Sequence, residues 1–167
     1  MSSSWEKELR TLLDAHGPRS VLVIGRGTGS ALADYEAAHP DCCVTRLGEG
    51  DIFSRLEGLG RYDLGLIFNT LEHMDKTAGA RLIARLRDLH TGRFYAAVPA
   101  AGRRRVMSGA GPPPDLIAYG MVPAFDAEMD GEPVHVYQFD IADYKKTPDW
   151  LNPSHWANPE LWDKYRW

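Results

Sequence analysis

The sequence predicts an α/β domain built on a mostly parallel sheet, and three observations predict it. Between residues 20 and 99, short apolar runs alternate with helix-forming stretches, the pattern of strand–helix units. A glycine cluster, Gly25-Arg26-Gly27-Thr28-Gly29, joins the first of these strands to the helix after it. Further on, Asp130-Gly131 separates two partly alternating segments, which predicts an antiparallel hairpin.

Helix 1 is read from Trp5, Leu9, Leu12 and Leu13, which recur at i, i+4, i+7 and i+8 and form one apolar stripe. Ser3 with Glu6 three residues on makes a capping-box start, and Gly17-Pro18 stops the helix. Residues 20–24, Ser-Val-Leu-Val-Ile, form a short β-branched run that suits a buried parallel strand. Residues 30–38 favour a helix that Pro40 ends. A second strand is expected at 42–47, a short helical turn at 52–59, and a third strand at 62–68. Asp75 can cap a helix whose Leu82, Ile83, Leu86 and Leu89 face the core while Arg81, Arg85 and Arg87 face water. A fourth strand at 93–98 is closed by Pro99. Residues 100–114, rich in Gly and Pro, read as a long loop, and 115–121 as a short helix. The hairpin arms are 122–129 and 133–141.

With 167 residues, 44% of them hydrophobic and 25% charged, the chain suits one domain with a real core and does not have the composition of a disordered one. We expect a single domain over residues 1–146, with a Trp- and Pro-rich tail over 147–167 packed on it. No apolar run approaches a membrane span, and the N-terminus has no stretch resembling a signal peptide. A cytoplasmic protein is therefore expected. The net charge of −4 argues against a nucleic-acid surface spread over the molecule. Cys42 and Cys43 are adjacent, so a disulfide between them would be strained; they read as reduced packing residues, with a redox pair as the alternative. No metal is expected, since the six histidines show no metal-ligand spacing. No G-x-S-x-G element and no nucleotide-hydrolysing phosphate loop occurs.

A strand that ends in glycines and runs into a helix can turn sharply, admit a ligand without a Cβ clash, and offer unpaired N–H groups. The other reading is a tight structural turn. The dinucleotide pattern G-x-G-x-x-G fits poorly, because Ser30 stands at its third place. The form G-x-G-x-G instead resembles the first motif of the class I S-adenosylmethionine-dependent methyltransferases. Residues 62–74, from Tyr62-Asp63 through the apolar strand to Leu71-Glu72-His73-Met74, resemble that family's fourth strand and the turn after it. The following helix, strand and closing hairpin keep the family's order, so the resemblance covers roughly residues 21–141.

The resemblance implies a Rossmann-like fold, S-adenosylmethionine as cofactor and methyl transfer to an unknown small molecule. The alternative is a non-catalytic relative, a binding or interaction protein that has lost cofactor binding. Implied cofactor contacts are Gly25, Arg26, Gly27, Thr28 and Gly29 in the loop, Glu49 or Asp51 toward the ribose, and Asn69 and Leu71 in the later turn. Glu72 and His73 are the candidate catalytic pair, a His there being suited to general-base work near neutrality. Equally, Glu72 and His73 can serve the start of the Asp75 helix, and Glu49 and Asp51 can be solvated loop carboxylates.

Three features depart from the family's pattern. Val23 stands where an acidic residue usually helps to bind the cofactor's amino acid end. No clean acidic motif follows the second strand. The interval 48–61 is too short for a full strand–helix unit. About six strands are therefore expected, with the adenosine-binding edge shortened. Arg103-Arg104-Arg105 could meet a phosphate or carboxylate, although such runs are usually solvated. The tail, with Trp150, Trp156, Trp162 and Trp167 and a helix start at Asn158-Pro159, reads as a strap over the core. It could also close a pocket or bind a partner, including a second copy.

Overall fold

The computed structural model describes residues 4–26, 29–48, 50–100 and 116–144. Ser3, Gly27, Thr28, Glu49, Arg103-Arg104-Arg105 and the whole aromatic tail, with its helix start at Asn158, lie outside the described residues.

Helix α1 (Ser4–His16) leads into strand β1 (Ser20–Gly25), helix α2 (Gly29–Ala38) and strand β2 (Cys43–Leu47). Helix α3 (Ile52–Leu56), strand β3 (Leu64–Phe68), a 3-10 turn (Leu71–His73) and helix α4 (Lys76–Arg85) follow. Strand β4 (Arg93–Pro99) precedes a 3-10 turn (Leu116–Tyr119), the hairpin β5 (Val122–Met129) and β6 (Glu132–Asp140), and helix α5 (Ile141–Tyr144).

The six strands form one sheet in the order β2-β1-β3-β4-β6-β5. The first four are mutually parallel, while β6 runs antiparallel to both β4 and β5. This is the expected α/β architecture, with the hairpin closing one side. Asp130 and Gly131 at the hairpin tip both take positive φ, at 52° and 82°, as a tight two-residue turn requires. The stretch between β2 and β3 holds α3 and no strand among the described residues, so β2 is the sheet's edge.

Alternation along β1 divides the core. Val21 and Val23 face a layer with Trp5, Leu9 and Leu13 of α1 and Ala31 and Leu32 of α2. Leu22 and Ile24 face the opposite layer, with Leu82 and Ile83 of α4 and Leu56 of α3. Trp5 is fully buried, edge-on to Phe68 at 5.0 Å and stacked on Phe125 at 6.0 Å. It clamps α1 across the sheet from β3 to β5. No helix among the described residues is long and apolar enough to cross a membrane.

One core assignment is corrected. Leu89 was expected to face inward with Leu86, but it is 54% exposed. The last turn after α4 widens to a π turn over Leu86–His90, in which Thr91 N–H donates to Leu86 O at 2.9 Å. The extra residue advances the face by one position. His90 is consequently the buried side chain, and its Nδ1 donates to Gly60 O at 3.0 Å.

Candidate functional site

A cleft of about 590 Å³ opens beyond the carboxyl ends of β1 and β3, lined by Gly25, Arg26, Gly48, Ile52, Asn69, Thr70, His73 and Met74. Parallel α/β sheets bind ligands at this end, and the volume suits a drug-sized molecule. The two motifs thus meet in space. Gly25 and Arg26 form one wall, and the turn after β3 forms another.

Gly25 has a structural duty that the motif alone does not reveal. It pairs with Phe68 across the sheet, and a Cβ there would overlap the Phe68 carbonyl oxygen and Thr70 Oγ1. Its φ of 89° is a conformation that side chains disfavour. Thr70 Oγ1 donates to Phe68 O at 2.7 Å, which ties this turn to the strand end. Asn69, at φ 44°, is exposed on the cleft wall, a left-handed position that Asn tolerates. Among the predicted residues, then, Gly25, Arg26, Asn69 and His73 share the cleft.

Others lie elsewhere. Leu71 is buried among the core residues of the α4 layer and does not line the cleft. Glu72 is half-buried, and its Oε2 is enclosed without a hydrogen-bond partner. Asp51 is exposed and caps α3, with Oδ1 accepting from the amides of Phe53 and Ser54 at 3.1 and 3.3 Å. Its Oδ2 accepts from Ser54 Oγ at 2.5 Å. These bonds, led by that from the Ser54 hydroxyl, hold the carboxyl below its usual range. The next residue, Ile52, is the one that reaches the cleft.

The second motif divides by end. Asp63 accepts from the amides of Arg19 and Ser20 at 2.9 and 3.1 Å, and Tyr62 Oη donates to Thr45 Oγ1 at 2.9 Å. Asp63 therefore ties the approach to β3 to the start of β1, and Tyr62 ties it to the middle of β2; neither residue lines the cleft. Sequence reasoning missed Gly48, Ile52, Thr70 and Met74 as lining residues. Gly48 and Ile52 were legible only as the ends of a loop, and Met74 only as the apolar position closing the motif. Among the described residues no group of three or more His, Cys, Asp or Glu is placed to hold a metal ion.

The sequence model of DUF6231, a family of unknown function, matches residues 3–167. The chain belongs to this family. A search of curated proteins finds no match. Solved structures do match. Mitomycin 7-O-methyltransferase MmcR is 17% identical, with a TM-score of 0.52 over 81% of this chain and 53% of that one. An O-methyltransferase family protein from Burkholderia thailandensis is 12% identical, with a TM-score of 0.52 over 81% and 55%. PigF with SAH is 14% identical, with a TM-score of 0.52 over 81% and 61%. These likenesses establish the class I methyltransferase fold. The chain spans 53 to 61% of the lengths of these three structures.

Proposed function

We propose that this protein is an S-adenosylmethionine-dependent methyltransferase acting on a small molecule. The observation that carries the reading is the cleft where the glycine turn and the 69–74 turn converge at the carboxyl end of the sheet. The lining fits such a cofactor in kind. Gly25 keeps the turn compact, Ile52 and Met74 offer apolar surface to a flat ring, and Asn69 offers an amide to ribose or amino acid groups. Asp51 is the poorer fit, since its carboxylate is engaged in capping α3.

Bound S-adenosylmethionine would provide an electrophilic methyl group. Alignment of the acceptor with that methyl does much of the work in such reactions. His73 is exposed on the cleft wall, where one ring nitrogen can take the proton from an acceptor hydroxyl or amine. Likeness to solved O-methyltransferases supports an oxygen acceptor.

Calorimetric titration of S-adenosylmethionine and S-adenosylhomocysteine tests the reading. Saturable heat with a matching rise in melting temperature is expected. No heat and no thermal shift at millimolar ligand would leave the second reading, a non-catalytic relative, which the engaged Asp51 carboxylate favours.

A further inference from the structure

Among the described residues, two that are not glycine take positive φ, Asp130 and Asn69. Asp130 serves the hairpin tip, but Asn69 serves no hairpin. It stands where β3 ends, at φ 44°, exposed on the cleft wall. Asparagine tolerates this region partly because its side chain can bond to nearby backbone. Among the described residues, however, the Asn69 amide meets no hydrogen-bond partner, so it is available to a ligand. Its neighbour Thr70 is buried and stands just before the 3-10 turn Leu71–His73. A threonine at such a place ordinarily accepts from an amide of the turn it precedes. The Thr70 side chain makes no such bond. Its hydroxyl donates back to Phe68 O instead, at 2.7 Å. That bond spans Asn69 and closes a short ring around it.

Both ends of the ring are fixed. Phe68 is fully buried and pairs with Gly25 between β3 and β1. Gly25 lies so close that a Cβ there would overlap both Phe68 O and Thr70 Oγ1. Further along the wall, the His73 amide donates to Thr70 O at 3.1 Å, so the 3-10 turn hangs from the same residue. Backbone held by its surroundings in a sparsely populated region clusters at ligand sites, where it presents a group in a fixed orientation. We propose that Thr70 is a positioning residue, whose bond to Phe68 holds Asn69 left-handed so that the Asn69 carboxamide hydrogen-bonds a ligand in the cleft, a role that rests on the cofactor reading above. A carboxamide both donates and accepts and carries no charge, so it suits the polar, uncharged groups of such a ligand. Because the amide is set before the ligand arrives, less ordering is lost on binding.

The test is calorimetric titration of S-adenosylhomocysteine, with melting temperatures alongside, into wild type, Asn69→Gly, Thr70→Val, Thr70→Ser and the double variant Asn69→Gly/Thr70→Val. Glycine takes left-handed backbone freely, so Asn69→Gly keeps the turn and removes only the amide. It should bind about three- to tenfold more weakly, the range of one neutral hydrogen bond, with a melting temperature close to that of wild type. Thr70→Val lacks the hydroxyl and should show a similar loss, while Thr70→Ser keeps the hydroxyl and should restore wild-type affinity. Since Thr70 acts through Asn69, the double variant should lose no more than Asn69→Gly alone. Thr70→Ala, which sets no methyl group against Phe68 O, is carried in parallel in case Thr70→Val does not fold. Wild-type affinity in Asn69→Gly would overturn the proposal and make Asn69 a turn residue only. Wild-type affinity in the Thr70 variant without a hydroxyl would overturn it too, as would losses that add in the double variant. Failure of the wild type to bind at millimolar ligand would instead overturn the cofactor reading on which the role rests.

Discussion

Single residues carry the site, and their duties differ from what their motif suggests. Gly25 is needed first by the sheet, because a Cβ would strike the Phe68 carbonyl and Thr70. Gly25→Ala should therefore destabilise the fold by about 3 kcal/mol or more, from left-handed strain plus overpacking, as read from urea unfolding. Such a loss would make it a poor probe of ligand binding. His73 is the opposite case. It is exposed and lines the cleft, so His73→Ala should leave stability within about 0.5 kcal/mol. It should lower methyl transfer about 100-fold or more if His73 is the base, with cofactor affinity retained. Asp51 and Leu71 show why spacing did not place every site residue. A carboxylate just before a helix is drawn to its free amides, and a leucine in a polar turn is drawn to the core. Neither preference is visible in a motif.

At the scale of elements, α1 has the largest consequences. Its apolar stripe was legible from the spacing of Trp5, Leu9 and Leu13, all fully buried. Trp5→Ala should cost about 3–5 kcal/mol in urea unfolding and should loosen the contact by which Glu6 Oε1 accepts from the Ser30 amide at the start of α2. The far end of α1 is anchored by polar groups. Arg93 Nη1 donates to His16 Nδ1 at 2.9 Å, and His16 Nε2 then donates to Tyr95 Oη at 2.9 Å. Asp140 accepts from Arg93 Nε at 2.6 Å. Burial, and next the Arg93 guanidinium, hold the His16 imidazole below its ordinary value. The folded state therefore takes up a proton less readily than the unfolded chain. The stability from this anchor is complete above about pH 6.5 and is lost as pH falls through the lower folded value. Urea midpoints measured between about pH 7.5 and 5 should decline more steeply for wild type than for His16→Gln. The π turn after α4 was not legible. A helical repeat of 3.6 put Leu89 inside, and only the wider turn brings His90 there instead.

Across the whole molecule, the alternation of strands and helices predicted the parallel strands β1 to β4, and Asp130-Gly131 predicted the hairpin, while the order β2-β1-β3-β4-β6-β5 is seen only in the structure. The meeting of the glycine turn with the 69–74 turn followed from that topology. The cleft's third wall did not, because Gly48, just after β2, and Ile52, at the Asp51-capped start of α3, belong to neither motif. Arg81 lies over the Phe53 ring at 4.7 Å and holds α3 against α4. The central claim is that this cleft takes the cofactor. Its most direct test is an amide NMR titration with S-adenosylhomocysteine. The account predicts shifts concentrated at Gly25, Arg26, Gly48, Asn69, Thr70, His73 and Met74, with residues at the opposite end of the sheet such as Asp63 and Arg93 unmoved. An unchanged spectrum at millimolar ligand, or shifts centred away from the cleft, would contradict it.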